Sequence, residues 1–250
     1  MTVVALSGCR TIRIDRDPGE ALRLDGIPTI VQTNPGYCAP ATIARAMAFE
    51  GGTVPQSHLA LLGGCSPEGG VDIEKLYRTL DPVFDENGFR LREWLPLDLG
   101  RSVELARRYN EKARSAGAFP LPVPEGEFSG PIDLAHLFGP ARPELLRESA
   151  SPTLPRFRGI VRDRLRAGHP LLWGVVLGIV PEPAALPLAR GGHLRLIVGH
   201  DPQAGVILYS DSWAPGCAVK SMPEADAWAI TMSLHTLERT NAGSARADSH

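Results

Sequence analysis

Gln32-Thr-Asn-Pro-Gly-Tyr-Cys38-Ala-Pro-Ala-Thr-Ile-Ala-Arg-Ala-Met47 sets a cysteine on a tight turn just ahead of a short helix, with a glutamine six positions before it. Pro35-Gly36 is a turn pair. Pro40 falls in the first helical turn, where its missing N–H is not needed. Ile43, Ala44, Met47 and Ala48 recur at the spacing of one buried face, while Arg45 and Glu50 are expected to point away. Gly51-Gly52 stops the helix. A thiol at a helix N-terminus sits in positive potential, which favours the nucleophilic thiolate. A glutamine amide nearby can donate a hydrogen bond to an oxyanion. Most free cysteines are instead buried small hydrophobes. A catalytic reading of Cys38 therefore needs a base from elsewhere in the chain.

That base is offered by Gly191-Gly-His193-Leu-Arg-Leu-Ile-Val-Gly-His200-Asp-Pro-Gln-Ala-Gly-Val-Ile-Leu-Tyr-Ser-Asp211-Ser-Trp213. Two strand-like runs, 193–198 and 206–210, flank a turn-rich segment at 199–205 and read as a β-hairpin. His193 opens the first strand and Asp211 closes the second, so antiparallel pairing brings both to one end. A histidine beside an aspartate that fixes its tautomer is what a cysteine nucleophile requires. The alternative for His193 is a strand-edge histidine bonded to backbone. Asp201-Pro202 is a rival for the third position, but it lies at the loop end, away from His193. His200 adjoins that loop and reads as a turn residue, and His169 as a helix-to-strand connector.

Together these segments resemble the papain-like cysteine peptidases, and more closely the bacterial branch that removes double-glycine leaders from bacteriocins. That branch shows a glutamine six residues before the cysteine, a Cys-Gly/Ala-Pro-Ala helix start, and a histidine followed by aspartate after one hairpin. Gln32, Cys38, His193 and Asp211 fall on those positions in the same chain order. The resemblance covers residues 27–80 and 156–233. Ala39 departs from the usual glycine, and Asp211-Ser212 from the usual Asp-Pro.

The resemblance implies an α+β fold over residues 21–235. An N-terminal helical half carrying the Cys helix would pack on a C-terminal antiparallel sheet carrying His193 and Asp211, with an insertion at 81–155. It implies hydrolysis of a peptide or amide bond in a peptide or protein substrate, without a cofactor. Cys38, His193 and Asp211 would form the triad, and Gln32 with the Cys38 N–H the oxyanion hole. With an amine in place of water the same triad is an acyltransferase or amidase. A catalytically inactive envelope binding module of the same fold is the remaining alternative.

Composition bounds the rest. A chain of 250 residues, 43% hydrophobic and 22% charged, can bury one substantial core. A formal net charge of −2 with 6% aromatic residues gives no sign of a nucleic-acid surface. Arg156, Arg158, Arg162, Arg164 and Arg166 read as the solvated face of a helix that buries Phe157, Ile160, Val161 and Leu165. Further helices are expected at 54–62, at 72–80 with Asp72 as N-cap, and at 102–116. The proline-rich run 119–126 reads as a loop, 171–180 as a buried strand, 227–233 as the last strand, and 236–250 as a disordered tail.

No Cys-x-x-Cys or His-Glu-x-x-His occurs, so no metal site is expected. Cys65 and Cys217 can pair only if the fold brings them within bonding distance. Leu6-Ser-Gly-Cys9 resembles the lipobox of bacterial lipoproteins, although what precedes it falls short of the usual ~7–15-residue apolar region. Residues 1–20 are read as a remnant of such a signal. On that reading Cys9 is lipidated, attaches the chain to a membrane and places it in the bacterial cell envelope; if Met1 is the true start, the chain is cytoplasmic. The longest apolar run, about ten residues, is well below the ~20 that span a bilayer.

Overall fold

The computed structural model describes residues 20–123, 133–182, 190–213 and 218–240, together with the backbone of 2–6 and 10–14. Cys9, Cys217 and the tail beyond 240 lie outside the described residues, and with them the lipidation and Cys65–Cys217 pairing expectations.

The apolar run at 171–180 supplies strand β5 (Leu171–Leu177), which is buried at every position. It lies between β6 (Gly191–Asp201) and β9 (Thr231–Arg239), and β9 pairs on its other side with β4 (Phe89–Leu95). Beyond β6 the sheet continues through β3 (Leu22–Leu24), β2 (Arg10–Ile14) and β1 (Thr2–Leu6). β7 (Val206–Ser210) also pairs with β6 and carries β8 (Val219–Pro223). Every pairing among these nine strands is antiparallel. The fold class is α+β.

Side chains alternate across the strands with period two, so the sheet divides the interior into two cores. Leu172, Leu194, Leu196 and Val198 pack with α1 (Cys38–Phe49), α2 (Gln56–Leu62) and α3 (Ile73–Glu86). Trp173, Val175 and Ile197 pack with α4 (Leu99–Ser115), α5 (Leu134–Phe138), α6 (Pro143–Ala150), α7 (Leu154–Arg166) and α8 (Glu224–Ile230). Asp72 caps α3 as expected, its carboxylate accepting from the Lys75 N–H.

Several expectations need correction. Strand β6 runs on to Asp201, so His200 is a buried strand residue whose Nε2 lies 2.9 Å from Glu224. Residues 227–230 are helical, and the last strand starts only at Thr231. Apolar runs this short do not distinguish strand from helix; here Glu224 and Asp226 anchor the helix by ion pairs to Arg158 and Arg147. Arg158 is exposed, as expected of the solvated face, and also tethers Glu224. Strand β9 continues to Arg239, so residues 236–239 belong to the sheet and not to a tail. Within the segment 1–20, residues 2–6 and 10–14 pair as β1 and β2.

Arg45 and Glu50 do not face solvent. Arg45 is 1% exposed, and its guanidinium donates to the Pro28 carbonyl at 3.0 Å and to Ser210 Oγ at 2.6 Å. Glu50 is buried beside His169, at 3.2 Å. Most of the helix that carries Cys38 is buried, because Ser210 of strand β7 and Pro28 of the preceding loop meet Arg45 on the face that periodicity assigned to water.

Candidate active site

Cys38 is the first residue of α1, and no side chain caps the helix. The N–H of Cys38 itself, at the helix start, therefore meets no capping side chain. The turn before it is shaped by Gly36, whose N–H donates to the Pro67 carbonyl at 2.6 Å and where a Cβ would collide with the Ser66 carbonyl. Thr42 Oγ1 donates to the Leu194 carbonyl at 3.0 Å, fixing the helix against β6 one residue from His193. At the far end Arg239 donates to the carbonyls of Glu50 and Gly51, at 2.9 and 2.8 Å.

The Cys38 thiol lies beside the His193 ring and the N–H groups of Leu194 and Ala39. Burial alone would push the thiol pKa up. The hydrogen bond and charge of His193, helped by the two N–H groups, outweigh burial and lower it. His193 Nε2 lies 2.8 Å from Asp211 Oδ1, which leaves Nδ1 for the thiol. Burial disfavours the imidazolium, but the bonds to Asp211 and Cys38 prevail and the pKa of His193 is raised. The two shifts have opposite sign; each is supported by the other group, and that of His193 by Asp211 as well. Trp213 stacks on the imidazole at 4.2 Å between ring centroids.

Asp211 is 1% exposed. Burial would raise its pKa, yet the His193 hydrogen bond and the charges of His193, Arg195 and Lys220 bring it down to about 2. Its second oxygen accepts from Arg195 Nε at 3.0 Å. Arg195, fully buried, also pairs with Glu182 at 2.8 Å, and Glu182 accepts from the Tyr209 hydroxyl at 2.8 Å. His193 and Arg195 are two apart on one strand and share a face, so one carboxylate reaches both. Sequence reasoning missed Arg195. The available signal was a lone charge inside the apolar strand run Leu194-Arg-Leu-Ile-Val198, where an ion is rarely buried without a partner.

The lowered Asp211 pKa has a stability consequence. Its folded value, about 2, lies below the ordinary 3.8. The stabilisation is present above the unfolded value and is lost as pH falls through 3.8 towards 2. At 1.36 kcal/mol per pKa unit it amounts to roughly 2 kcal/mol. Urea unfolding of the native chain between pH 5 and 2 is expected to lose about that much more than Asp211→Asn does.

Gln32 does not take the expected place. Its Nε2 donates to the carbonyls of Asn34 and Pro35, at 3.0 and 2.8 Å, and its Oε1 accepts from Ser212 Oγ at 2.8 Å. Two carbonyls can only accept, which fixes the amide orientation. Gln32 thus ties the cysteine turn to the segment after Asp211, and it is not among the residues lining the cavity. The rival Asp201 accepts from the N–H groups of Gln203 and Ala204 and serves the β6–β7 turn.

Cys38 and His193 open onto a cavity of about 340 Å³, whose other walls include Gly70, Val71, Gly174 and Met232. Cys65 is a buried free thiol; burial and the neighbouring Cys38 charge raise its pKa. Among the described residues no group of acidic, histidine or cysteine side chains could hold a metal ion, and no helix is long and apolar enough to cross a membrane. The chain matches no protein-family model and no curated protein sequence.

Proposed function

We propose that this chain is a papain-like cysteine hydrolase that cleaves peptide or amide bonds with Cys38, His193 and Asp211. The observation that carries the reading is the His193–Asp211 pair at 2.8 Å with the Cys38 thiol beside His193, at the wall of an open cavity. The arrangement of a Cys-bearing helix packed on the strands that present His193 and Asp211 supports the papain-like assignment.

In this reading the Cys38 thiolate attacks the substrate carbonyl carbon, and the C=O pair moves onto oxygen. The N–H of Cys38, at the open helix start, meets the oxyanion; one such donor typically accounts for about 2.7–4 kcal/mol of transition-state stabilisation. His193 Nδ1 gives its proton to the leaving amine as the C–N bond breaks, leaving a thioester. Water then loses a proton to His193, attacks the thioester and restores the thiol. Asp211 holds the imidazole and balances its charge throughout. Gln32 joins the oxyanion hole only by exchanging one of its two carbonyl partners for the substrate oxygen.

The test is cleavage of a mixed peptide library by the purified chain, read by mass spectrometry, with Cys38→Ala as control. New termini from the native chain and none from the variant are expected, together with a thioester adduct of the acyl fragment on Cys38. A native chain that cuts no peptide or amide, or cutting that survives Cys38→Ala, would refute the assignment. Added amines distinguish hydrolysis from acyl transfer, because transfer leaves the amine on the product.

A further inference from the structure

A second cavity, of about 240 Å³, adjoins the one at Cys38 and shares Ile73, Leu97 and Ser233 with it. Ser233 and His235 leave β9 on one face, two residues apart, at positions where Leu237 continues into the core. Both are buried, at 1% and 5% exposure, and Tyr77 of α3 lies against His235 with ring centroids 4.6 Å apart. Ser233 Oγ, His235 Nδ1 and the Tyr77 hydroxyl have no hydrogen-bond partner among the described residues. Three unpaired polar atoms on neighbouring buried side chains destabilise a fold unless something else uses them.

The chemistry of the wall indicates the guest. Burial lowers the pKa of His235 to about 4, so its ring is neutral at physiological pH. Nε2 faces the Glu93 carboxylate at 3.5 Å, which makes Nδ1 the lone-pair nitrogen and hence an acceptor. The hydroxyls of Ser233 and Tyr77 can accept as well. Glu74 and Glu93 add two carboxylates to the lining against one cation, Arg78. A group that donates hydrogen bonds and carries positive charge complements this wall, and an acidic group is repelled by it.

The geometry points to a specificity subsite at Ser233, His235, Tyr77 and Glu93 that receives a lysine or arginine side chain of the substrate beside the scissile bond. The inference rests on the hydrolase reading above and narrows it to peptides with a basic residue near the cut. The two cavities share Ser233, so a side chain that reaches Glu93 from the catalytic one must be long.

The test uses irreversible peptidyl acyloxymethyl ketones that alkylate Cys38, carrying Lys, Arg, Leu or Glu at the first or second residue from the reactive group. At one of those positions the Lys and Arg probes are expected to label Cys38 at least tenfold faster than the Leu and Glu probes. Glu93→Lys should lower the Lys-to-Glu ratio at least tenfold. Glu93 is more than half exposed, so its replacement leaves the core intact. Ratios are taken within each protein, so a general loss of reactivity cancels. Equal or faster labelling by Leu or Glu probes, or a ratio untouched by Glu93→Lys, overturns the subsite alone. If iodoacetamide labels Cys38 but no peptidyl probe does, the peptidase reading falls and takes the subsite with it.

Discussion

Iodoacetamide is expected to alkylate Cys38 rapidly down to pH 5–6, as it does low-pKa thiols of catalytic sites. In His193→Ala the labelling should slow on the order of a hundredfold at pH 6 and recover only near pH ~8.5, the value of an unassisted thiol. The expectation follows from the two pKa shifts. Cys38 is lowered and His193 raised, and both shifts move the pair towards thiolate and imidazolium. Peptide cleavage needs both forms. It should therefore rise as Cys38 ionises, on the acid side of an ordinary thiol, and fall as His193 deprotonates, above an ordinary imidazole. Alkylation needs only the thiolate and should show the acid limb without the alkaline one. Mass spectrometry of the labelled peptide separates Cys38 from Cys65, whose raised pKa and burial keep it slow. Slow labelling of the native chain that is indifferent to His193 would leave a binding module in place of an enzyme.

Replacing Arg195 by methionine should be the most destabilising single change at the site that leaves the nucleophile and base in place. The side chain is 0% exposed and pairs with Asp211 and with Glu182, themselves almost wholly buried. Removing one partner from a buried ionic group typically costs about 3–5 kcal/mol, because the remaining charge is left without compensation. Two carboxylates are stranded here. Arg195→Lys should recover only part of the loss, since one ammonium cannot reproduce the fork that meets Asp211 at Nε and Glu182 at a terminal nitrogen. The acid limb of alkylation should also move towards neutral pH in Arg195→Met, because losing a nearby buried cation favours protonation of the thiolate. Urea unfolding measures the first effect and alkylation the second. A variant within about 1 kcal/mol of the native chain would exclude this role, given the normal cost of breaking such a pair. The double change Arg195→Met with Glu182→Gln should be less damaging than the sum of the two, the mark of coupled neighbours.

The site was legible where chemistry dictates residue type at a fixed place in the chain. A cysteine after a Pro-Gly turn, a histidine opening a strand and an aspartate closing its partner are local features, and hairpin geometry brings the last two together. Arg195 was harder to read because an arginine in a strand run looks the same whether it faces water or two carboxylates. Gln32 was misplaced for a related reason: its spacing to Cys38 says that it is near, while the partners of its amide depend on Ser212 and on the turn carbonyls. In the fold, β4 alternates only over Phe89-Arg-Leu-Arg92 before its register shifts between Glu93 and Leu95, too short a period-two signal to mark a strand. Helix α8 is a different case, since its short apolar run suits either secondary structure and the ion pairs to α6 and α7 decide between them.

The ties that hold α1 in position span most of the chain. Thr42 reaches Leu194 across 152 residues, Gln32 reaches Ser212 across 180, and Arg239 closes on the carbonyl of Glu50 across 189. Contacts this distant in sequence form late, because the loops they close must first be drawn together. During synthesis residue 38 leaves the ribosome long before the strand that bears His193 exists, and well before Arg239 can secure the other end of the helix. A nascent or truncated chain thus carries an ordinary thiol at that position. The surroundings that shift the thiol therefore come together only once the strand bearing His193 has been made and packed against the helix.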